Sequence, residues 1–190
     1  MLAKLTQDNP PAKEDAAIVA EMAKLGLAPG KQGANRTGRP FTGDYAGVLL
    51  YETLHKFGYA DRSVSVAADD GLTLTGCRIS NAVKCLPPEN KPTGSEINTC
   101  NAYLAAELAG LPTDTMILAL GNVAHLAVLK ALKLKVANYK FGHAARHALP
   151  GGQVLYDSYH CSRYNTQTRR LTEPMFHQVF ELIDTESRRA

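Results

Sequence analysis

An α/β domain is the fold class this chain predicts: a three-layer αβα sandwich around a short, mostly parallel four-stranded sheet. Three observations point to it. Apolar runs of strand length alternate with longer stretches whose apolar residues recur at helical spacing. Polar loops rich in Gly and Pro lie beside those strands, and in open parallel sheets ligands sit at the carboxyl ends of strands. A chain of 190 residues with a 45% hydrophobic fraction can bury one sizeable core, so residues 1–190 are most simply a single domain. No internal repeat or low-complexity tract divides it.

The elements follow in order. Lys13 to Gly26, KEDAAIVAEMAKLG, reads as an amphipathic helix. Ala46 to Gly58, AGVLLYETLHKFG, is a helix with Gly58 as its stop. Cys77 to Val83, CRISNAV, is a short buried strand. Thr93 and Glu96 spell a capping box that opens a helix running to about Leu108. Thr115 to Leu120 is an apolar strand stopped by Gly121-Asn122, and AHLAVLKALKL follows as a helix. QVLYDSY is a further strand. Phe176, Val179, Phe180 and Ile183 form the core stripe of a last helix capped by Thr172.

Composition excludes more than it assigns. The formal net charge of +3 is too small to argue for nucleic acid alone. The cations are unevenly placed, however. Lys31, Arg36, Arg39, Lys84, Lys91, Arg163, Arg169 and Arg170 all lie in or beside three motif loops, Gly33–Asp44, Asn81–Thr93 and Ser158–Thr166. Taken singly, each is a solvated surface charge. No apolar run is long enough to span a bilayer and no signal-like segment opens the chain, so a cytoplasmic protein is expected. In that compartment the four cysteines are thiols or metal ligands rather than disulfides.

Two distant stretches carry the chemistry. GANRTGRPFTGD, Gly33 to Asp44, places Phe41 and one carboxylate, Asp44, in a basic, glycine-rich loop. SYHCSRYNT, Ser158 to Thr166, gathers His160, Ser162, Arg163, Tyr164 and Asn165 on one polar loop. Together they offer a stacking ring, an acid or base, and cations for phosphate, the parts needed to draw a base out of DNA and cleave its glycosidic bond. Phe41 is a stacking ring or a loop anchor dipping into the core. Asn81, near the end of an apolar strand, offers a donor and an acceptor suited to a base edge, or is a buried structural amide. Asp44 orients water or stabilises a cationic sugar, or caps the helix that follows, and one residue can do both. His55, His125 and His177 read as ordinary helix residues, and His143 has no assigned role. No G-K-[ST] follows the glycines at P-loop spacing.

At GANRTGRPFTGD, at NAVKCLPPENKPT with Cys100 beyond it, and at the histidine loop, the chain resembles the iron–sulfur branch of the uracil-DNA glycosylase superfamily, most closely its type 5. The likeness runs from about Gly26 to the C-terminal helix. It implies a monofunctional DNA repair glycosylase that releases uracil and leaves an abasic site, acting on DNA as a monomer. Phe41 would stack on the extruded uracil and Asn81 would read its N3–H and O4 edge. Gly26 and Ala28 in GLAPG would line the base pocket. His160, at the histidine of the family's H-P-S motif, would donate to uracil O2 as charge builds there. Arg36, Arg39, Lys84, Ser162, Arg163, Tyr164 and Asn165 would meet the DNA. GLAPG carries apolar Leu27 and Ala28 where many superfamily members hold a water-activating group, which is typical of this branch and leaves Asp44 for that work.

The resemblance also implies a [4Fe–4S] cluster held by four cysteines, with Cys85 and Cys100 as two of them. The other pair belongs to an upstream C-x-x-C, and no cysteine precedes Cys77 in this sequence. Cys77 reads as core, and Cys161 stands where the family carries the proline of H-P-S. Residues 1–25 are accordingly divergent or truncated, and Arg169 replaces an expected glycine. The alternative to an active glycosylase is a truncated or degenerate relative that binds DNA with little or no turnover.

Overall fold

The computed structural model describes residues 16–20, 34–43, 45–82 and 94–187. Five strands form one sheet in the order β2-β1-β3-β5-β4. They are β1 (Ala16–Ala20), β2 (Cys77–Asn81), β3 (Met116–Leu120), β4 (Arg146–Ala148) and β5 (Val154–Ser158). The first four neighbours in that order pair in parallel, and β4 closes one edge antiparallel to β5. The expected sandwich around a mostly parallel sheet is what forms, with Arg146–Ala148 as an added edge strand that the sequence did not signal.

The N-terminal expectation requires correction. Ala16–Ala20 is not helical but a strand between β2 and β3, parallel to both. Five consecutive apolar residues, with β-branched Ile18 and Val19 among them, suit a strand paired on both edges, which shows no alternation. The helical spacing came from the charged residues flanking those five, and a short apolar run cannot be assigned by period alone.

Helices cover both faces, and β3 shows why. Its alternate residues divide between two apolar clusters. Met116, Leu118 and Leu120 pack with α2 (Ala46–Lys56) and α6 (Glu173–Ser187), through Leu50, Leu54, Phe176 and Phe180. Ile117 and Ala119 pack with α3 (Gly94–Ala109) and α4 (Asn122–Ala131), through Leu104, Leu108, Val128 and Leu129. All five β3 residues are buried, so the strand reads as a continuous apolar run. Helix α2 ends as expected: Gly58 adopts φ 81°, and its N–H and that of Tyr59 return to the carbonyls of His55 and Leu54. Helix α6 buries the expected Phe176, Val179, Phe180 and Ile183, and the Met175 N–H meets the Thr172 hydroxyl at 3.4 Å. Thr93 of the expected capping box lies outside the described residues, and the helix it precedes begins at Gly94. No described helix is long and apolar enough to cross a membrane.

Candidate active site

Parallel pairing aligns the carboxyl ends of the strands. Asn81 is opposite Ala20, Ala20 is opposite Leu120, and Leu120 is opposite Ser158. Three inter-strand spacings therefore separate Asn81 from Ser158, roughly 14 Å in a flat sheet. Asn81 shares its side of β2 with Cys77 and Ile79, which belong to the apolar layer under α2 and α6. Phe41 belongs to the same layer.

The Phe41 loop, with the short helix α1 (Ala34–Thr37) at its start, is held by unusual means. Phe41 is 2% exposed and adopts φ 59°, a left-handed backbone that costs a non-glycine residue roughly 1–2 kcal/mol. Helix α2 runs against it through Gly47, where a Cβ would lie 1.7 Å from the Phe41 carbonyl oxygen. The Tyr51 hydroxyl donates to the Pro40 carbonyl at 2.8 Å. Arg39 corrects an expectation: it does not reach outward for DNA. It is 3% exposed, and its guanidinium donates to the carbonyls of Ala67, Ala68 and Leu72 and to Asp70. Burial would raise the Asp70 carboxyl, but the N–H groups of Leu72, Val66 and Ala67 and the Ser65 hydroxyl outweigh it and hold it far below the carboxylate range. Arg39 and Asp70 thus fasten the Phe41 loop to the segment between α2 and β2.

The second loop brings His160 to Phe41. The two rings are 6.0 Å apart between centroids, tilted by 34°, and His160 is 3% exposed. Gly121, at φ 100°, lets the start of α4 pass close: a Cβ there would stand 3.5 Å from the His160 Cβ. The Gly121 N–H donates to the Ser158 carbonyl at 2.8 Å, tying β3 to β5 just before the histidine. Asn165 is buried and its amide donates to the His160 carbonyl at 2.8 Å. That is a positioning role, not the DNA contact expected of it. Ser162 caps α5 (Arg163–Gln167), accepting from the Asn165 N–H at 3.4 Å. Arg163 and Tyr164 are exposed, as is Arg36 in α1.

His143 gains a role here. Its ring stacks on Tyr159 at 5.0 Å, and the Arg170 guanidinium lies 4.8 Å over the Tyr159 ring. His143 Nδ1 accepts from the Tyr159 N–H at 3.2 Å while Nε2 faces the Met175 carbonyl at 3.2 Å, which makes Nε2 the protonated nitrogen. Burial holds its pKa below the ordinary value, consistent with that neutral tautomer.

His125 is the residue that sequence reading missed. Its Nδ1 is 2.8 Å from Asp157 Oδ1 and its Nε2 is 2.9 Å from the Tyr139 carbonyl. Both partners accept, so both nitrogens donate only in the imidazolium form. His147 Nε2 approaches the other Asp157 oxygen at 3.1 Å, and the Gly142 N–H adds a longer contact of 3.4 Å. Burial alone would lower the His125 pKa, but its hydrogen bond to Asp157 and the charge of that carboxylate raise it above 6.5. The pair clamps the first turn of α4 to β5, three residues before His160. A folded pKa above the unfolded one gives stability that is present below about pH 6.5 and lost as pH rises through the folded value. The melting temperature should therefore fall more steeply for the native chain than for His125→Gln between about pH 6 and pH 9. Parallel curves would mean that the folded protein holds His125 neutral.

Asp44, Gly26, Ala28, Lys84 and Cys85 lie outside the described residues. Of the described cysteines, Cys77 and Cys161 belong to the apolar core rather than to a four-thiolate cluster. Cys77 is buried on β2 with its sulfur 3.7 Å from the Tyr59 carbonyl, Cys161 is buried in the same apolar layer, and Cys100 is buried in α3. Among the described residues, the one cluster of three His, Cys, Asp or Glu ligand atoms within 4.8 Å of one another is His125, His147 and Asp157. Its closest contacts are hydrogen bonds, and no thiol belongs to it.

A family model described as the uracil DNA glycosylase superfamily matches residues 17–184. A type-5 uracil-DNA glycosylase of Thermus thermophilus is 46% identical over 160 residues, 84% of this chain and 73% of that protein. One from Pyrobaculum aerophilum is 40% identical, covering 80% of this chain and 66% of its own length. One from Mycobacterium tuberculosis is 43% identical, covering 82% of this chain and 59% of its own. The chain belongs to the uracil DNA glycosylase superfamily.

Proposed function

We propose that this chain is a DNA repair enzyme that hydrolyses the N-glycosidic bond of uracil extruded from DNA and leaves an abasic site. One observation carries the reading beyond the likeness to named relatives. Two loops more than 100 residues apart in sequence place a buried aromatic ring and a buried histidine 6.0 Å apart at the carboxyl edge of a parallel sheet. That geometry supports stacking of a flat base on Phe41 with His160 at its edge.

The reaction needs the C1′–N1 bond to break with its electron pair leaving on uracil, where the charge spreads to O2. His160 donates a hydrogen bond to that oxygen, worth most in a buried site. Asn81 at the end of β2 reads the N3–H and O4 edge, and cytosine presents the opposite pattern there. Water adds its oxygen to C1′ and gives up a proton, and Asp44, the one carboxylate in the sequence of the Phe41 loop, is the proposed group to orient it. Gly26 and Ala28 contribute backbone to the base pocket. Arg36, Lys84, Ser162, Arg163 and Tyr164 are the proposed DNA contacts that remain after Arg39 and Asn165 are assigned inside the fold. The chemistry proposed is monofunctional, without a Schiff-base lysine, so the product is an intact abasic strand. The [4Fe–4S] cluster of the type 4 and 5 branch has no part in these steps. Cys85 and Cys100 remain its proposed ligands, and the two other cysteines of this sequence serve the core.

Incubated with a labelled duplex carrying a U:G pair, the folded chain should release free uracil and leave an alkali-labile site without added metal or nucleotide. Release no greater than that of boiled protein, from a sample whose circular dichroism shows it folded, would remove this reading.

A further inference from the structure

We propose that Tyr45 is a stacking platform for the nucleobase next to the extruded one, with Arg163 held over the ring to meet the adjoining phosphate. This rests on the DNA reading above but assigns a residue that it does not use. The two loops that supply the buried pair also supply an exposed pair. Four residues after Phe41, Tyr45 is 47% exposed at the start of α2. Three residues after His160, exposed Arg163 opens α5, and its guanidinium carbon lies 6.0 Å from the Tyr45 ring centroid. One pair is buried, and the other, a few residues further along each loop, makes an exposed rim.

The rim is apolar as well as cationic. Val48, one helical turn after Tyr45 and therefore on the same face of α2, is 51% exposed, and Tyr164 beside Arg163 is 56% exposed. Exposed aromatic and aliphatic surface interleaved with a guanidinium suits a nucleic-acid strand, whose bases are flat and apolar and whose backbone is anionic. Extruding one base unstacks its neighbour, and an aromatic face at the mouth replaces the lost stack. An exposed cation–π contact is weak by itself, so it orients the ring without fixing it and leaves one face of Tyr45 open to a base.

A cycle between protein and DNA tests this on the full chain. The duplex carries 2′-fluoro-2′-deoxyuridine, which resists cleavage, and its flanking positions hold either normal bases or a tetrahydrofuran spacer that lacks a base. With normal flanks, Tyr45→Ala should weaken binding by on the order of 10-fold, and Tyr45→Phe should restore it. With the spacer on the stacked side, the native protein should lose that same factor and Tyr45→Ala should lose nothing more. Equal affinity of Tyr45→Ala and the native chain for the normal duplex would overturn the proposal. So would a loss that persists unchanged on the spacer duplex, or one that appears in self-association by sedimentation instead of in DNA binding. Uracil release by the native chain, measured separately, distinguishes failure here from failure of the glycosylase reading.

Discussion

His160→Ala is expected to slow uracil release by on the order of 100- to 1000-fold, the largest loss from any single side chain of the pocket. The residue is 3% exposed and opposite Phe41, and the atoms that fix its backbone belong to others: the Asn165 amide on its carbonyl and Gly121 beside its Cβ. Truncation therefore removes the ring without releasing the loop. A donor aimed at charge that exists only as the base departs should lower the rate constant of the chemical step and leave substrate affinity nearly unchanged. Phe41→Ala cannot be read so simply. Phe41 is core as well as pocket, and emptying a buried phenylalanine site costs about 3–5 kcal/mol of stability. Phe41→Leu keeps most of the volume and isolates the stacking. Asn81→Asp exchanges an amide donor for an acceptor and should narrow the preference for uracil over cytosine. Single-turnover rates on a uracil duplex, corrected for the folded fraction, are the measurement. Rates for His160→Ala within a factor of about three of the native chain would displace His160 from the chemistry.

The sheet was legible where local signals agree and illegible where tertiary pairing decides. Thr115 to Leu120 and Gln153 to Tyr159 were found as strands because a buried parallel strand is a bounded apolar run. Ala16–Ala20 has the same character, but flanking charges at helical spacing hid it, and what settles it is a partner on each edge. Strand β4, with Arg146 and His147 in a three-residue run, carries no apolar signal and exists through its pairing with β5. The site shows the same division. Phe41, Asn81 and His160 stand out as candidates from motifs, and the structure brings Phe41 and His160 together. That Arg39 and Asn165 turn inward was not legible, because a loop arginine and a loop amide look alike whether they meet DNA or a carbonyl. His125 and Asp157 are 32 residues apart, and neither is informative until the fold joins α4 to β5.

Gly47→Ala should damage both the fold and the pocket, and two opposing effects decide the sign. Gly47 lies inside α2, where alanine is favoured over glycine by about 1 kcal/mol. Against this, the new Cβ would sit 1.7 Å from the Phe41 carbonyl oxygen and 2.9 Å from its carbonyl carbon, both of them backbone atoms. The Phe41 peptide has little room to yield. Its φ of 59° is already strained, the Tyr51 hydroxyl holds the preceding carbonyl, and Arg39 anchors the loop two residues earlier. Overpacking of this kind costs about 1–3 kcal/mol and sometimes more, so the clash outweighs the helix gain. At this chain length the melting temperature should drop by roughly 5 °C. Whatever relaxation occurs must move Phe41 relative to His160, and a displacement near 1 Å at a reacting geometry can cost on the order of 100-fold in rate. Gly58→Ala is the control: its φ of 81° makes alanine strained, but nothing lies within 4 Å of the new Cβ, and Gly58 ends α2 on the side away from Phe41. That variant should lose stability and keep its rate per folded molecule. If Gly47→Ala melts at or above the native temperature and releases uracil at the native rate, the close approach of α2 to the Phe41 carbonyl is not what sets the pocket.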